Sequence, residues 1–339
     1  MRNALHNRSR RKWRHKLVAL AVASCFSTEL AYANPIGPTV VNGQVSFGGG
    51  GNQLLITNSP GSIINWLSFS ISANEITRFI QQSASSVVLN RVTGIDPSLI
   101  LGELQSNGRV VLINPNGITF GGGASINTAG LVVSTLGLSN ADFLAGRFRF
   151  TEVARAGDIV NQGDITTPDG GFVYLVAPNI QNGGIIRSND GEILLAAGNS
   201  VELVNPHSPD LRVEITAPDN QAVNLGQIIA QSGSIGIYSG LIRQGGIVNA
   251  NAAVMGPNGK IVFKATQDVT LDAGSVTTAN GPQGGNIAIQ SKSGTTLVAG
   301  DVEAQGSQGT GGTVEVLGAN VGLMGSATIN ASGETGGGT

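Results

Sequence analysis

The sequence predicts an all-β chain coiled as a parallel β-helix, or β-solenoid, and three observations predict it. Of 339 residues 50 are Gly, only 12% are charged and 4% aromatic, and the mean hydropathy is +0.13. That is too apolar for disorder and too rich in Gly for helices, since Gly costs about 1 kcal/mol in a helix interior. Short alternating runs of Val, Ile and Thr stand between Asn, Gly, Ser and Asp turns, the pattern of brief pleated strands. Finally, from about residue 154 the chain repeats a coarse strand-turn-strand-turn unit with an imperfect period in the twenties.

The first 33 residues stand apart from the fold. The basic run "RSRRKWRHK" (8–16) precedes the apolar "LVALAVASCF" (17–26), and "AYA" ends at Ala33. A basic n-region, a short h-region and the small-x-small pair Ala31 and Ala33 make a signal peptide cut after Ala33, read by the Sec machinery. Two other signals match loosely: "SRRKW" a twin-arginine signal, and "VASC" ending at Cys25 a lipoprotein box. Removal of residues 1–33 takes seven of 19 basic and one of 21 acidic residues, leaving 12 against 20 and a net charge of −8. Such a surface does not suit nucleic acid. The only cysteine, Cys25, leaves too, so the remaining chain closes no disulfide in an oxidising compartment and stays threadable.

Residues 34 to about 150 read as a distinct leading region. "GQVSF", "NQLLITN" and "SIINWLSFSI" are strand-like, with Gly48 to Gly51 as a turn or loop. In "IDPSLILGEL", Asp96 as N-cap and Pro97 at the first helical position predict a short helix. In "SNADFLAG", Ser139 with Asp142 three residues later predicts a single helical turn.

The repeats follow. "GDITTPDGG" and "GIIRSNDGE" start 21 residues apart, at Gly163 and Gly184. Further on, Val248, Val276, Val302 and Ile329 align at spacings of 28, 26 and 27. One such coil cannot stand alone. About six buried aliphatic side chains at about 1.5–3 kcal/mol each are cancelled by ordering about twenty residues at about 1–2 kcal/mol each. Stacked at about 4.8 Å per coil, roughly a dozen coils make a rod about 60 Å long, whose first edge needs a cap. The Gly-rich ending after Ile329 shows no closing cap, so more repeats are expected beyond Thr339.

One turn stands out. In "VVLINPNGITFGGGASINTAGLVVSTL" (110–136), Asn114, Pro115, Asn116 and Gly117 sit where a type I β-turn prefers them. Together with "INWLSFSISANEITRFIQQSASSVVLNRVTG" (64–94) and "GGIIRSNDGEILLAAGNSVEL" (183–203), this stretch closely resembles the amino-terminal secretion domain of the filamentous haemagglutinin family, the exoproteins of bacterial two-partner secretion. The resemblance covers about residues 34–240. It implies a right-handed parallel β-helix with extra-helical β elements and recognition by the periplasmic POTRA domains of an outer-membrane β-barrel transporter. It also implies export of an unfolded chain to the surface or medium of a Gram-negative bacterium. The family's "NPNGI" motif falls on Asn114, Pro115, Asn116, Gly117 and Ile118, making these the expected transporter-recognition and folding residues. The family's earlier "NPNL" motif has no match; Asn58-Ser59-Pro60 and Ile95-Asp96-Pro97 are vague substitutes.

Catalysis is the rival reading. His207 in "NPHSPD" is the only histidine after the leader, no Gly-x-Ser-x-Gly elbow occurs, and "GPNGK" (256–260) lacks Walker spacing. A carbohydrate-cleaving β-helix needs paired carboxylates with basic partners, and Asp158, Asp164, Asp169, Arg187 and Lys260 are the candidates, scattered along turns. The sequence is therefore read as a signal peptide (1–33), a secretion domain (34–240) and the start of a β-helical repeat region (241–339). It is expected to bind no cofactor, metal or nucleic acid, and to belong to an adhesin-like exoprotein whose downstream regions meet host or neighbouring cells. The alternative is a β-helical polysaccharide lyase or hydrolase.

Overall fold

The computed structural model describes residues 34–206, 211–256, 258–325 and 327–339; the predicted cleavage pair Ala31 and Ala33, Cys25 and His207 lie outside them. Inward-facing residues of short parallel strands stack into files along the coil axis. One file runs Leu54, Thr77, Leu104, Ile126, Ile165, Ile186, Ile228, Val248, Thr277, Val302, Ile329. From Thr77 to Val302 no member is more than 1% exposed. A second file passes through Leu112, Val133, Leu175, Leu195, Ile237, Phe263 and Ile289. The third face is a nine-stranded parallel sheet from Ser98–Ile100 to Asn320–Leu323. Side chains of all three faces meet in one continuous core.

Two long strands join the first two faces. Glu103–Ile113 and Ser125–Ser134 pair along their whole length, and the register shifts between Thr128 and Gly130. Such a bulge bends a strand, so the two ends of Ser125–Ser134 pair with different neighbours, Asp164–Thr166 and Phe172–Ala177.

The expected cap is present. Thr39–Asn42 lies antiparallel to Ser62–Trp66, and Val45–Gly50 antiparallel to Gln53–Asn58, so the first edge of the parallel stack is covered. Trp66, 1% exposed, anchors it edge-on to Phe47 and Phe69 at centroid distances of 5.8 and 5.6 Å, its indole donating to Asn90 Oδ1 at 2.9 Å. The glycines expected to turn here largely do not: Gly48 to Gly50 finish the strand, and the turn falls on Gly51 and Asn52.

Extra-helical elements form a four-stranded antiparallel sheet of Gly137–Leu138, Phe148–Thr151, Ser200–Val204 and Arg212–Thr216. The helical turn Asn140–Leu144 sits within it, capped by Ser139, whose hydroxyl accepts from Asp142 N at 3.0 Å. This cover lies on the outer face of the parallel strands and makes a second core. Val132, Tyr174, Val176 and Leu194 from the coils meet Phe143, Phe150, Val201 and Leu203 from the cover. Phe172–Ala177 is consequently buried along its whole length, which explains a strand without polar alternation. Half-buried Arg91 ties the layers by donating to Leu138 O at 2.7 Å, and burial lowers its pKa.

Two expectations are corrected. The helix expected at "IDPSLILGEL" is a strand, Ser98–Ile100, with Ser98 and Ile100 turned inward. Pairing with Ile118–Phe120 and burial of Ile100 outweigh the capping signal of Asp96 and Pro97. The partner of Val248 is Thr277, not Val276, so the true spacings are 29, 25 and 27. A one-residue slip turns a side chain to the other face. Alignment on Val hid the fact that Thr277 points inward, with an Oγ1 that finds no hydrogen-bond partner.

A polar file runs through the interior as well. Asn161 Nδ2 donates to Asn182 Oδ1 at 2.8 Å, Asn182 Nδ2 to Asn224 Oδ1 at 2.8 Å, and Asn224 Nδ2 to Gln244 Oε1 at 2.7 Å, all four residues being at most 1% exposed. Thr277→Val removes an unpaired buried hydroxyl and is expected to stabilise the fold by about 1 kcal/mol, whereas Asn182→Ala orphans two buried groups and is expected to cost about 2–4 kcal/mol. Urea unfolding followed by circular dichroism measures both; equal shifts for the two variants would refute this account of the interior.

Candidate functional site

The "NPNGI" turn is the corner between the strands Glu103–Ile113 and Ile118–Phe120. Gly117 N donates to Asn114 O at 3.2 Å, closing the predicted four-residue turn, and Gly117 has φ +113°, a value that favours glycine. Asn114 is completely buried and is the hub. Its amide donates to Asp96 O at 3.0 Å and Ser98 Oγ at 2.9 Å, while its Oδ1 accepts from Asn116 N at 3.0 Å. Asn116 is exposed, yet its amide donates to Gly94 O at 2.9 Å and Asn114 Oδ1 at 3.1 Å.

The turn therefore ties three coils. Below, it holds Gly94, Asp96 and Ser98; above, Gly157 N donates to Pro115 O at 2.7 Å and Ile118 N to Asp158 O at 3.1 Å. Ile118 is buried in the core, so only Asn116 and half-buried Pro115 of the five motif residues are open to a partner. Asn114 and Asn116 thus divide the work of the motif. Asn114→Ala is expected to cost about 2–4 kcal/mol and Asn116→Ala about 1 kcal/mol or less. Urea midpoints decide, and equal costs would mean that the exposed amide is as structural as the buried one.

The amide file is the feature that the sequence reading missed, although a signal for it exists. Asn161, Asn182, Asn224 and Gln244 each head the pattern Asn/Gln-x-Gly-x-Ile/Val: "NQGDI", "NGGII", "NLGQI", "QGGIV". The glycine is required by close stacking, because a Cβ on Gly184, Gly226 or Gly246 would lie 2.2, 2.1 or 2.1 Å from the carbonyl oxygen of the glycine one coil below.

The candidate acids and bases of the rival reading do not converge. Asp164 lies opposite Ile185 and Arg187 opposite Thr166 on one face, whereas Lys260 pairs with Ser234 on another. Asp158, bonded by Asn179 Nδ2 at 2.9 Å, borders the third, and Asp169 is an exposed turn residue. An open cleft of about 400 Å³ beside the cover is lined by Glu192, Tyr238 and Leu211, and takes in only Lys260 of the five. Glu192 there accepts from Tyr174 Oη, which is buried and not part of the lining, and burial, with the Glu192 charge, pushes the Tyr238 hydroxyl up to about 12. Among the described residues no group of three or more His, Cys, Asp or Glu is placed to hold a metal, and no helix is long and apolar enough to cross a membrane. Exposed ion pairs, Arg147 with Asp142 at 2.9 Å and Arg149 with Glu202 at 3.1 Å, belong to the cover. Hydrogen bonds from Ser139 and Arg147 hold the Asp142 carboxyl below its ordinary pKa.

Comparison with known proteins agrees with this architecture. The crystal structure of the HMW1 secretion domain from Haemophilus influenzae matches with a TM-score of 0.83 and 34% identity, over 89% of this chain and 85% of that domain. A heme/hemopexin-binding protein of Haemophilus influenzae is 32% identical over 213 residues, which is 59% of this chain and 23% of that protein. A hemolysin of Proteus mirabilis is 32% identical over 108 residues, 31% of this chain and 7% of the hemolysin. The chain thus spans less than a quarter of the length of these two relatives. The family model for the TPS secretion domain matches residues 31–278, and the chain belongs to that family, the secretion domains of two-partner-secretion exoproteins.

Proposed function

We propose that residues 34–240 target a large, adhesin- or haemagglutinin-like exoprotein to its own outer-membrane β-barrel transporter, whose periplasmic POTRA domains recognise the chain. The module then nucleates the β-helix as the chain emerges at the cell surface, and residues 241–339 begin the repeats laid on it. A Sec-type signal peptide at 1–33 brings the chain to the periplasm, and the module performs no chemistry of its own.

The observation that carries this reading is the division of labour inside one turn. Asn114 is consumed by the fold, whereas Asn116 and Pro115 are presented at the surface of a corner that ties three successive coils. A partner that engages this corner in the extended chain holds apart the pieces whose joining starts the stack, and release lets them join. The cap supports the same order of events, since an antiparallel edge at residues 39–58 lets strands add at the other end only.

Export separates recognition from stability. Asn116→Ala and Pro115→Ala are expected to lower the amount of protein outside the cell several-fold while signal-peptide removal and the stability of the purified protein stay near wild type. Wild-type export of both variants would leave the turn as a structural corner alone.

A further inference from the structure

Six Asn-Gly steps occur in the chain, at Asn42, Asn107, Asn116, Asn182, Asn258 and Asn280. This dipeptide carries its own reaction. The glycine nitrogen, on losing its proton, attacks Cγ of the asparagine; a C–N bond forms, the Cγ–Nδ2 bond breaks and ammonia leaves. The resulting five-membered imide is opened by water at either carbonyl, giving Asp or isoaspartate. No oxidant or enzyme is needed. Glycine favours the attack because no Cβ obstructs the approach and its backbone reaches the required angles.

In the folded chain both reacting groups are held at four of these steps. At Asn116 the amide donates to Gly94 O at 2.9 Å and Asn114 Oδ1 at 3.1 Å, and the Gly117 N–H donates to Asn114 O at 3.2 Å. At Asn182 the amide is locked in the interior file, and Gly183 N donates to Asn161 O at 2.7 Å. Asn107 exchanges hydrogen bonds with the Gln81 backbone, both at 2.8 Å, and Gly108 N donates to Ser106 Oγ at 3.0 Å. Asn280 donates to Glu303 at 2.9 Å and accepts from Gln305 N at 2.7 Å, while Gly281 N donates to Gln305 O at 3.0 Å. Each holding partner except Ser106 and Asn114 lies on a neighbouring coil, so stacking itself supplies the restraint.

We propose that Asn107, Asn116, Asn182 and Asn280 are spontaneous deamidation sites that coil stacking switches off and an unfolded chain leaves open. The product damages what the reactant builds. A carboxylate at 116 cannot donate to Gly94 O, and one at 182 puts a buried charge against Asn224 Oδ1 and breaks the file. Isoaspartate also adds a main-chain atom at the corner. A chain held unfolded is thereby timed: it keeps the amides its coils need only if it folds promptly. The bearing on export rests on the reading of the preceding subsection, but the chemistry does not.

The test uses the purified full chain, half of it folded and half in guanidinium chloride, in the same mildly alkaline buffer. Peptide mass mapping and enzymatic isoaspartate methylation follow each site. All four sites are expected to convert at least about tenfold more slowly in the folded chain, with Asn182 the slowest, because attack requires local opening. Refolding yield after dilution should fall in step with conversion at Asn182, and fresh Asn182→Asp should refold as poorly as the aged chain. Equal rates in the two halves, or normal refolding of a fully converted chain, would overturn the proposal. Wild-type export of both Asn116→Ala and Pro115→Ala, with the four sites of the unaltered chain still protected on folding, would instead remove the recognition reading and leave this one standing.

Discussion

A strand of three to six residues can be held only by the strand beside it. Every coil depends on the backbone edge of the coil below and offers the same kind of edge to the next, and the molecule is organised around this dependence. Interior side chains repay the ordering of a coil only when both sides are covered. An uncovered edge is also a template for unwanted partners, and the antiparallel strands Thr39–Asn42 and Val45–Gly50 occupy it at the amino-terminal end. Growth from a blunt cap has a direction built into it.

Apolar files supply most of the core and exclude a one-residue slip, which would turn their side chains outward, but Ile on Val tolerates a slip of two residues along the chain. Amides do not. Asn182 and Asn224 each give and accept in line, Asn161 gives at one end and Gln244 accepts at the other, so a coil shifted in register orphans buried groups on its neighbours at about 1–3 kcal/mol each. Asn114 does the same at a corner lower in the stack, where it reaches across to Asp96 and Ser98. Polar residues here specify how coils sit, and aliphatic ones hold them.

Much of this was legible in the sequence. The class, the cap, the extra-helical sheet, the Ser139 helical turn and the turn at Asn114 followed from pattern, spacing and resemblance. What escaped depends on contacts distant along the chain. Asp96 and Pro97 carry a sound local helix signal, and only the need to bury Ile100 in the core beneath Phe120 overrides it. Hydropathy favours Val276 over Thr277 as the inward residue, because it cannot see which of two adjacent β-branched residues faces inward; the partner coils decide. The Asn/Gln-x-Gly-x-Ile/Val pattern stands in the sequence with no local meaning. Its meaning appears only when residues 20 to 42 apart lie on top of one another.

The irregular period has a physical content of its own. Along the first file the step is 39 residues from Ile126 to Ile165 and 42 from Ile186 to Ile228, against 20 to 29 elsewhere. The two long steps hold the two halves of the cover, Gly137–Leu138 with Phe148–Thr151, and Ser200–Val204 with Arg212–Thr216. Between them lie the strands Ile159–Asn161 to Glu192–Ala197, so the halves meet only after those coils have stacked. Phe150 then pairs with Val201 across a sequence distance of 51 residues and seals Val132, Tyr174 and Leu194 beneath it. Such a long-range closure comes late. Early coils thus fold on the cap, later coils fold on them, and the cover locks the early ones in place and closes the way back.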